Sequence, residues 1–89
     1  MRSFLIYQTP GFHYPLHHHP AEELYLVIGG EADFTVDGEP SKTLRPGETQ
    51  YHASNQPHAL TTRDQAVLAY VVWRGDVMKK PIFTEGTSR

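Results

Sequence analysis

Turn-forming residues interrupt this chain about every ten positions, a spacing that leaves room for short strands and little else. The breaks fall at Thr9-Pro10-Gly11, Pro20, Gly29-Gly30, Asp37-Gly38, Pro46-Gly47, Asn55 to Pro57, Arg63-Asp64 and Arg74-Gly75-Asp76. The segments between them are rich in Tyr, Phe, Val, Leu and Thr. No window of about a dozen residues keeps a 3.6-residue apolar period without meeting a proline or glycine, so little or no helix is expected. The pattern predicts an all-β domain, a sandwich or small antiparallel barrel.

The side-chain period sharpens this. Ala32, Phe34 and Val36 alternate with Glu31, Asp33 and Thr35, giving one buried and one wet face, and Asp37-Gly38 supplies the positive φ of a tight hairpin. Leu24 to Ile28 and Val67 to Trp73 are apolar on both faces. Such segments are expected as central strands, covered from two sides or facing a partner subunit. Thr84 to Arg89 reads as a loose tail.

Length and composition exclude several classes. Eighty-nine residues are read as a single domain over 1–89, and a domain of this size buries only about two-thirds of its unfolded surface. With no cysteine, neither a disulfide nor a thiolate metal site is available, so any metal must sit on nitrogen and oxygen. A net charge of −2 without a basic stripe argues against nucleic acid as a partner. The apolar run Leu24 to Ile28 is too short to cross a bilayer, and Met1-Arg2-Ser3 lacks signal-peptide anatomy, so a soluble cytoplasmic protein without membrane contact is expected.

His17-His18-His19, with Glu23 four residues on and His58 far along the chain, suggests a divided metal site. In a strand His17 and His19 share one face and His18 takes the other. If Pro20 and Ala21 make the following turn, the next strand carries either Glu22 or Glu23 inward. One face would hold Glu23, Tyr25 and Val27, the other Glu22, Leu24, Leu26 and Ile28, and periodicity leaves both open. His13 and His52 read as polar edge residues or as supports behind the site.

The spacing His17-x-His19-x-x-x-Glu23-x6-Gly30 resembles the first signature of the cupins, and Gly47-x5-Ala53-x-Asn55-x-x-His58 resembles the second. The usual second signature has Pro and Gly where this chain has Ala53 and Asn55, a difference confined to a turn. The resemblance implies a small antiparallel, jelly-roll-like β-barrel with His17, His19, Glu23 and His58 as metal ligands. Three imidazoles and a carboxylate suit one divalent Zn, Fe, Mn or Ni per chain and leave positions open for substrate.

Within the cupins, Tyr14-Pro15-Leu16-His17-His18-His19, Ala21 to Tyr25, Tyr51 to Ala59 and Trp73 to Asp76 resemble the lyases that cleave dimethylsulfoniopropionate (DMSP) to dimethyl sulfide and acrylate. This implies a small carboxylate substrate held by the metal as Lewis acid, and a β-elimination in which Tyr25, or Tyr14 in reserve, takes the proton. Trp73, Tyr51 and Phe34 are the aromatic faces expected to meet the sulfonium. The same ligands would serve another metal-dependent cupin enzyme, an oxygenase or isomerase on a small carboxylate, or a non-catalytic small-ligand-binding cupin. Leu24, Leu26 and Ile28, pointing away from the site, imply a homodimer.

Overall fold

The structure is a computed structural model that describes residues 1–84. Its elements are β1 (Arg2–Gln8), β2 (His13–His18), β3 (Glu22–Gly30), β4 (Ala32–Val36), β5 (Lys42–Leu44), β6 (Thr49–His52), β7 (His58–Thr61), β8 (Val67–Arg74) and β9 (Ile82–Phe83). Among the described residues there is no helix, and so none long and apolar enough to cross a membrane. The strands form two antiparallel sheets, ordered β1-β8-β3-β6 and β5-β4-β7-β2-β9. The all-β expectation holds. β3 and β8, the two segments apolar on both faces, are the central pair of the first sheet.

The sheets face each other through their apolar sides. Val27, Val67, Ala69 and Val71 from the first meet Ala32, Phe34, Leu44 and Leu60 from the second in one buried cluster. Ala32, Phe34 and Val36 point inward on β4, as the alternation requires. One turn differs from expectation. Gly38 takes its positive φ of 86° and Glu39 N–H bonds the Val36 carbonyl, yet β4–β5 pairing begins only at Phe34 opposite Lys42. Pro40, which has no N–H to contribute to a ladder, lies in the stretch between, so the connection is longer than a two-residue hairpin.

Two irregularities interrupt the strand pairing, and the first places functional residues. The pairing of β2 with β7 shifts between Tyr14 and His17, across Pro15. Strict alternation would send Tyr14 and His17 to opposite faces; the bulge turns both inward, and their rings stack with centroids 4.2 Å apart. The second shift lies on β3 between Val27 and Gly29, beside β8. Thr84 N–H bonds the Leu16 carbonyl, and the rest of the expected loose tail lies outside the described residues.

The adjacent glycines of β3 have unequal roles. Gly30 has φ +71°, and a Cβ there would sit 1.8 Å from the Ala66 carbonyl oxygen; at Gly29 a Cβ would meet nothing closer than the Leu68 Cβ at 4.0 Å. Gly30→Ala is therefore expected to lower stability by about 2–4 kcal/mol. Gly29→Ala should leave it unchanged or raise it by up to about 1 kcal/mol. Denaturant melts of the two variants check this pair.

Candidate metal centre

The inward faces of both sheets meet at a cluster of buried histidines around one carboxylate. β2 and the residue after it bring His17 and His19, β3 brings Glu23, β6 brings His52 and β7 brings His58; all five are 1–3 % exposed. Alternation places His17 and His19 inward, while His18 lies partly exposed with its Nδ1 3.4 Å from the Asn55 side-chain oxygen. On β3 it is Glu23 that faces in, which decides between the two faces that periodicity left open. Leu24, Leu26 and Ile28 point out.

Backbone carbonyls set the protonation of the rings. The Nδ1–H of His17 donates to Pro15 O at 2.7 Å, that of His58 to Gln56 O at 2.7 Å and that of His19 to Ala21 O at 2.9 Å. A carbonyl can only accept, so each Nδ1 carries the hydrogen and each Nε2 keeps its lone pair. The His19 and His58 Nε2 atoms are buried without a hydrogen-bond partner. His58 Nε2 nevertheless lies 3.0 Å from Glu23 Oε1, and His19 Nε2 lies 3.7 Å from it. Lone pairs facing a carboxylate oxygen in a dry site repel unless a cation lies between them. The donor set thus fits a divalent transition ion: neutral imidazole nitrogens, one carboxylate oxygen, and ligand atoms of His17, His19 and His58 within 4.8 Å of one another.

The turn before His58 carries the two departures from the usual second signature. Asn55 has φ +58°, the left-handed conformation that glycine adopts most readily and asparagine tolerates, and its N–H donates to His19 O at 2.7 Å. Asn55 therefore takes the backbone conformation open to a glycine while tying the turn to the histidine strand.

A cavity of about 410 Å³ opens on the cluster. Tyr14, His17, His19, Glu23, Tyr25 and Trp73 all line it. Burial and then the charge on Glu23 push the phenol of Tyr14 above its ordinary value, and the same two causes push Tyr25 well above it. Burial lowers His17 to about 4, which keeps its ring neutral near pH 7. Burial alone would raise Glu23, but the imidazoles of His19, His52 and His58 beside it, His52 through its Nδ1–H, outweigh burial and hold the carboxyl well below the usual carboxylate range.

Two expected substrate contacts lie elsewhere. Tyr51 pairs with Leu24 on the outer face of the first sheet and is 51 % exposed, because β6 turns His52 inward and the side chain before it outward. Phe34 is inward but deep, its ring edge-to-face with Tyr25 at 5.1 Å, so it backs the tyrosine and does not line the cavity. Trp73 does line it, and its indole N–H donates to Glu23 Oε2 at 2.7 Å while its ring stacks on His19. Phe4, Ile6 and Phe12, which complete the apolar wall, were not singled out from the sequence. Nothing in the local pattern of β1 or its turn marks them: the pairing of β1 with β8 carries Phe4 and Ile6 to the cavity, and backbone bonds to Thr62 hold Phe12 there.

A Cupin domain family model matches residues 4–74. The chain is 42 % identical over 84 residues to dimethylsulfoniopropionate lyase DddQ of Ruegeria pomeroyi, covering 94 % of this chain and 42 % of that protein. It superposes on the crystal structure of DMSP lyase DddQ from Ruegeria pomeroyi DSS-3 with a TM-score of 0.90 at 43 % identity, covering 94 % of this chain and 44 % of that one. The crystal structures of DMSP lyases RdDddP and RnDddQII give a TM-score of 0.88 at 39 % identity, again with 94 % and 44 % covered. The chain thus spans less than half the length of the lyases it matches. Fold, signature spacing and these likenesses agree, and the chain belongs to the cupin family.

Proposed function

We propose that this chain is the metal-binding barrel of a lyase that cleaves DMSP to dimethyl sulfide and acrylate. The observation that carries the proposal is the pair of buried Nε2 lone pairs on His19 and His58 aimed at the Glu23 carboxylate, at the foot of a cavity walled by two tyrosines and a tryptophan. Likeness to the DddQ lyases over 94 % of the chain supplies the substrate class. His17, His19, Glu23 and His58 would hold the ion.

Zn, Fe, Mn or Ni bound there supplies a Lewis acid to the substrate carboxylate and positive charge beside the phenols. Tyr25, two residues beyond Glu23 on the same strand face, lines the cavity and, as phenolate, would accept the proton from the carbon next to the carboxylate. The C–H electron pair becomes the new C=C bond. The C–S pair leaves with sulfur, giving neutral dimethyl sulfide and acrylate. Burial and then the charges of Glu23 and Tyr14 oppose ionisation of Tyr25, so the positive charge of a bound ion is what would favour the phenolate. Tyr14, held against His17, is the reserve base. Trp73 and the wall around Phe4 offer aromatic faces to the sulfonium, each contact worth roughly 0.5–2 kcal/mol.

The outer face of β1-β8-β3-β6 suits a second copy of the chain. Leu24, Leu26 and Ile28 are 44, 38 and 47 % exposed, and Leu5, Tyr51 and Tyr70 extend the patch. Apolar area of this kind is characteristic of an interface. Light scattering is expected to give the mass of a homodimer, and a monomer mass contradicts it.

Incubation of metal-replete protein with DMSP should release dimethyl sulfide into the headspace, and Tyr25→Phe should keep its metal while slowing release by about two powers of ten or more. No release from the metal-replete protein overturns the lyase assignment; normal turnover by Tyr25→Phe makes that tyrosine structural. His58→Ala is expected to lose bound metal, and with it several degrees of thermal stability, because the ion binds the folded state preferentially. Metal analysis and a thermal melt test this, and an unchanged metal content removes His58 from the ligand set.

A further inference from the structure

Three adjacent strands place Trp73, Glu23 and His52 in one row. Glu23 on β3 stands directly opposite His52 on β6 and, on its other side, directly opposite Trp73 on β8. Side chains opposed across an antiparallel pair share a face, and all three point inward. The row therefore follows from backbone register and does not depend on any single rotamer.

The two neighbours donate to different oxygens of the carboxylate. The Trp73 indole N–H reaches Oε2 at 2.7 Å and the His52 Nδ1–H reaches Oε1 at 3.1 Å. Oε1 is also the oxygen beside the Nε2 atoms of His58 and His19. His52 thus differs from the other buried imidazoles. They spend Nδ1–H on backbone carbonyls, whereas His52 spends it on Glu23 and lies flat against His58, with centroids 3.9 Å apart and planes 15° apart. It does not line the cavity.

We propose that His52 and Trp73 are positioning residues forming a two-sided clamp on Glu23, which presents Oε1 alone to the ion and leaves one more coordination position for substrate. The clamp rests on the assignment of Glu23 as a ligand. With the indole N–H on Oε2, chelation through both oxygens would require that bond to break and would leave the Trp73 N–H buried without an acceptor, an unfavourable exchange. With His52 on the opposite side, the carboxylate plane cannot rotate to exchange its oxygens. Supporting donors of this kind hold a ligand in its binding orientation.

Co(II) titration of the full 89-residue chain against a competing chelator tests the clamp. His52→Asn keeps an N–H donor near the Nδ1 position and should bind Co(II) nearly as tightly as the parent. His52→Gln fills similar volume but carries its amide further out, and should bind about 10–100-fold more weakly. Equal affinity of His52→Gln and the parent overturns the clamp. Equal losses in the two variants also overturn it, because His52 would then be a ligand itself, as its proximity to Glu23 and His58 allows, or a packing residue. Trp73→Phe keeps an aromatic ring against His19 and removes the N–H. The freed Oε2 should then join the Co(II), and the visible d–d bands should lose intensity as the coordination number rises. An unchanged spectrum counts against Trp73 as half of the clamp and overturns the proposal. A parent protein that takes up no Co(II) overturns the metal centre itself, an outcome distinct from the others.

Discussion

Keeping a carboxylate ionised inside so small a domain requires that its lost hydration be replaced, and the architecture around Glu23 meets that requirement. Desolvation by itself would push the proton back onto the carboxyl. Trp73 and His52 supply N–H donors, and the imidazoles around Oε1 have their own hydrogens committed to backbone carbonyls or to Glu23. That commitment leaves nitrogen lone pairs gathered around negative oxygen, an arrangement stable with a cation and costly without one. The bulge at Pro15, the left-handed turn at Asn55 and the register of three strands all serve to bring these groups to one point.

Much of the fold was legible because strands obey a period of two. Turn residues located the breaks, and apolar runs on both faces identified β3 and β8 as central. Alternation placed Ala32, Phe34 and Val36 inside and separated His18 from His17 and His19. The same rule could not choose between Glu22 and Glu23, since both faces of β3 carry apolar residues. That choice required the spacing shared with the cupins, and the structure turns Glu23 inward.

What escaped the sequence is what depends on pairing between distant strands. Tyr51 belongs to a segment with only a weak alternation of its own, and its outward face is fixed by standing opposite Leu24. The same register makes His52 the inward neighbour of Glu23, a relation invisible from either segment alone. Phe34 was correctly placed inside, but its depth behind Tyr25 is a matter of packing between sheets. Tyr14 reaches the cavity against the parity of its strand, and the proline that follows it was the local sign of the bulge responsible.

The donors around Glu23 are far apart along the chain: Trp73 is 50 residues away and His52 is 29. No local segment can preassemble them, so loop-closure entropy must be met by both sheets before any ion is held. Contact order and metal retention are then two aspects of one cooperative transition. A cavity-forming substitution at Val71 or Leu60, neither of them a ligand, will release the ion to the extent that it populates the open chain.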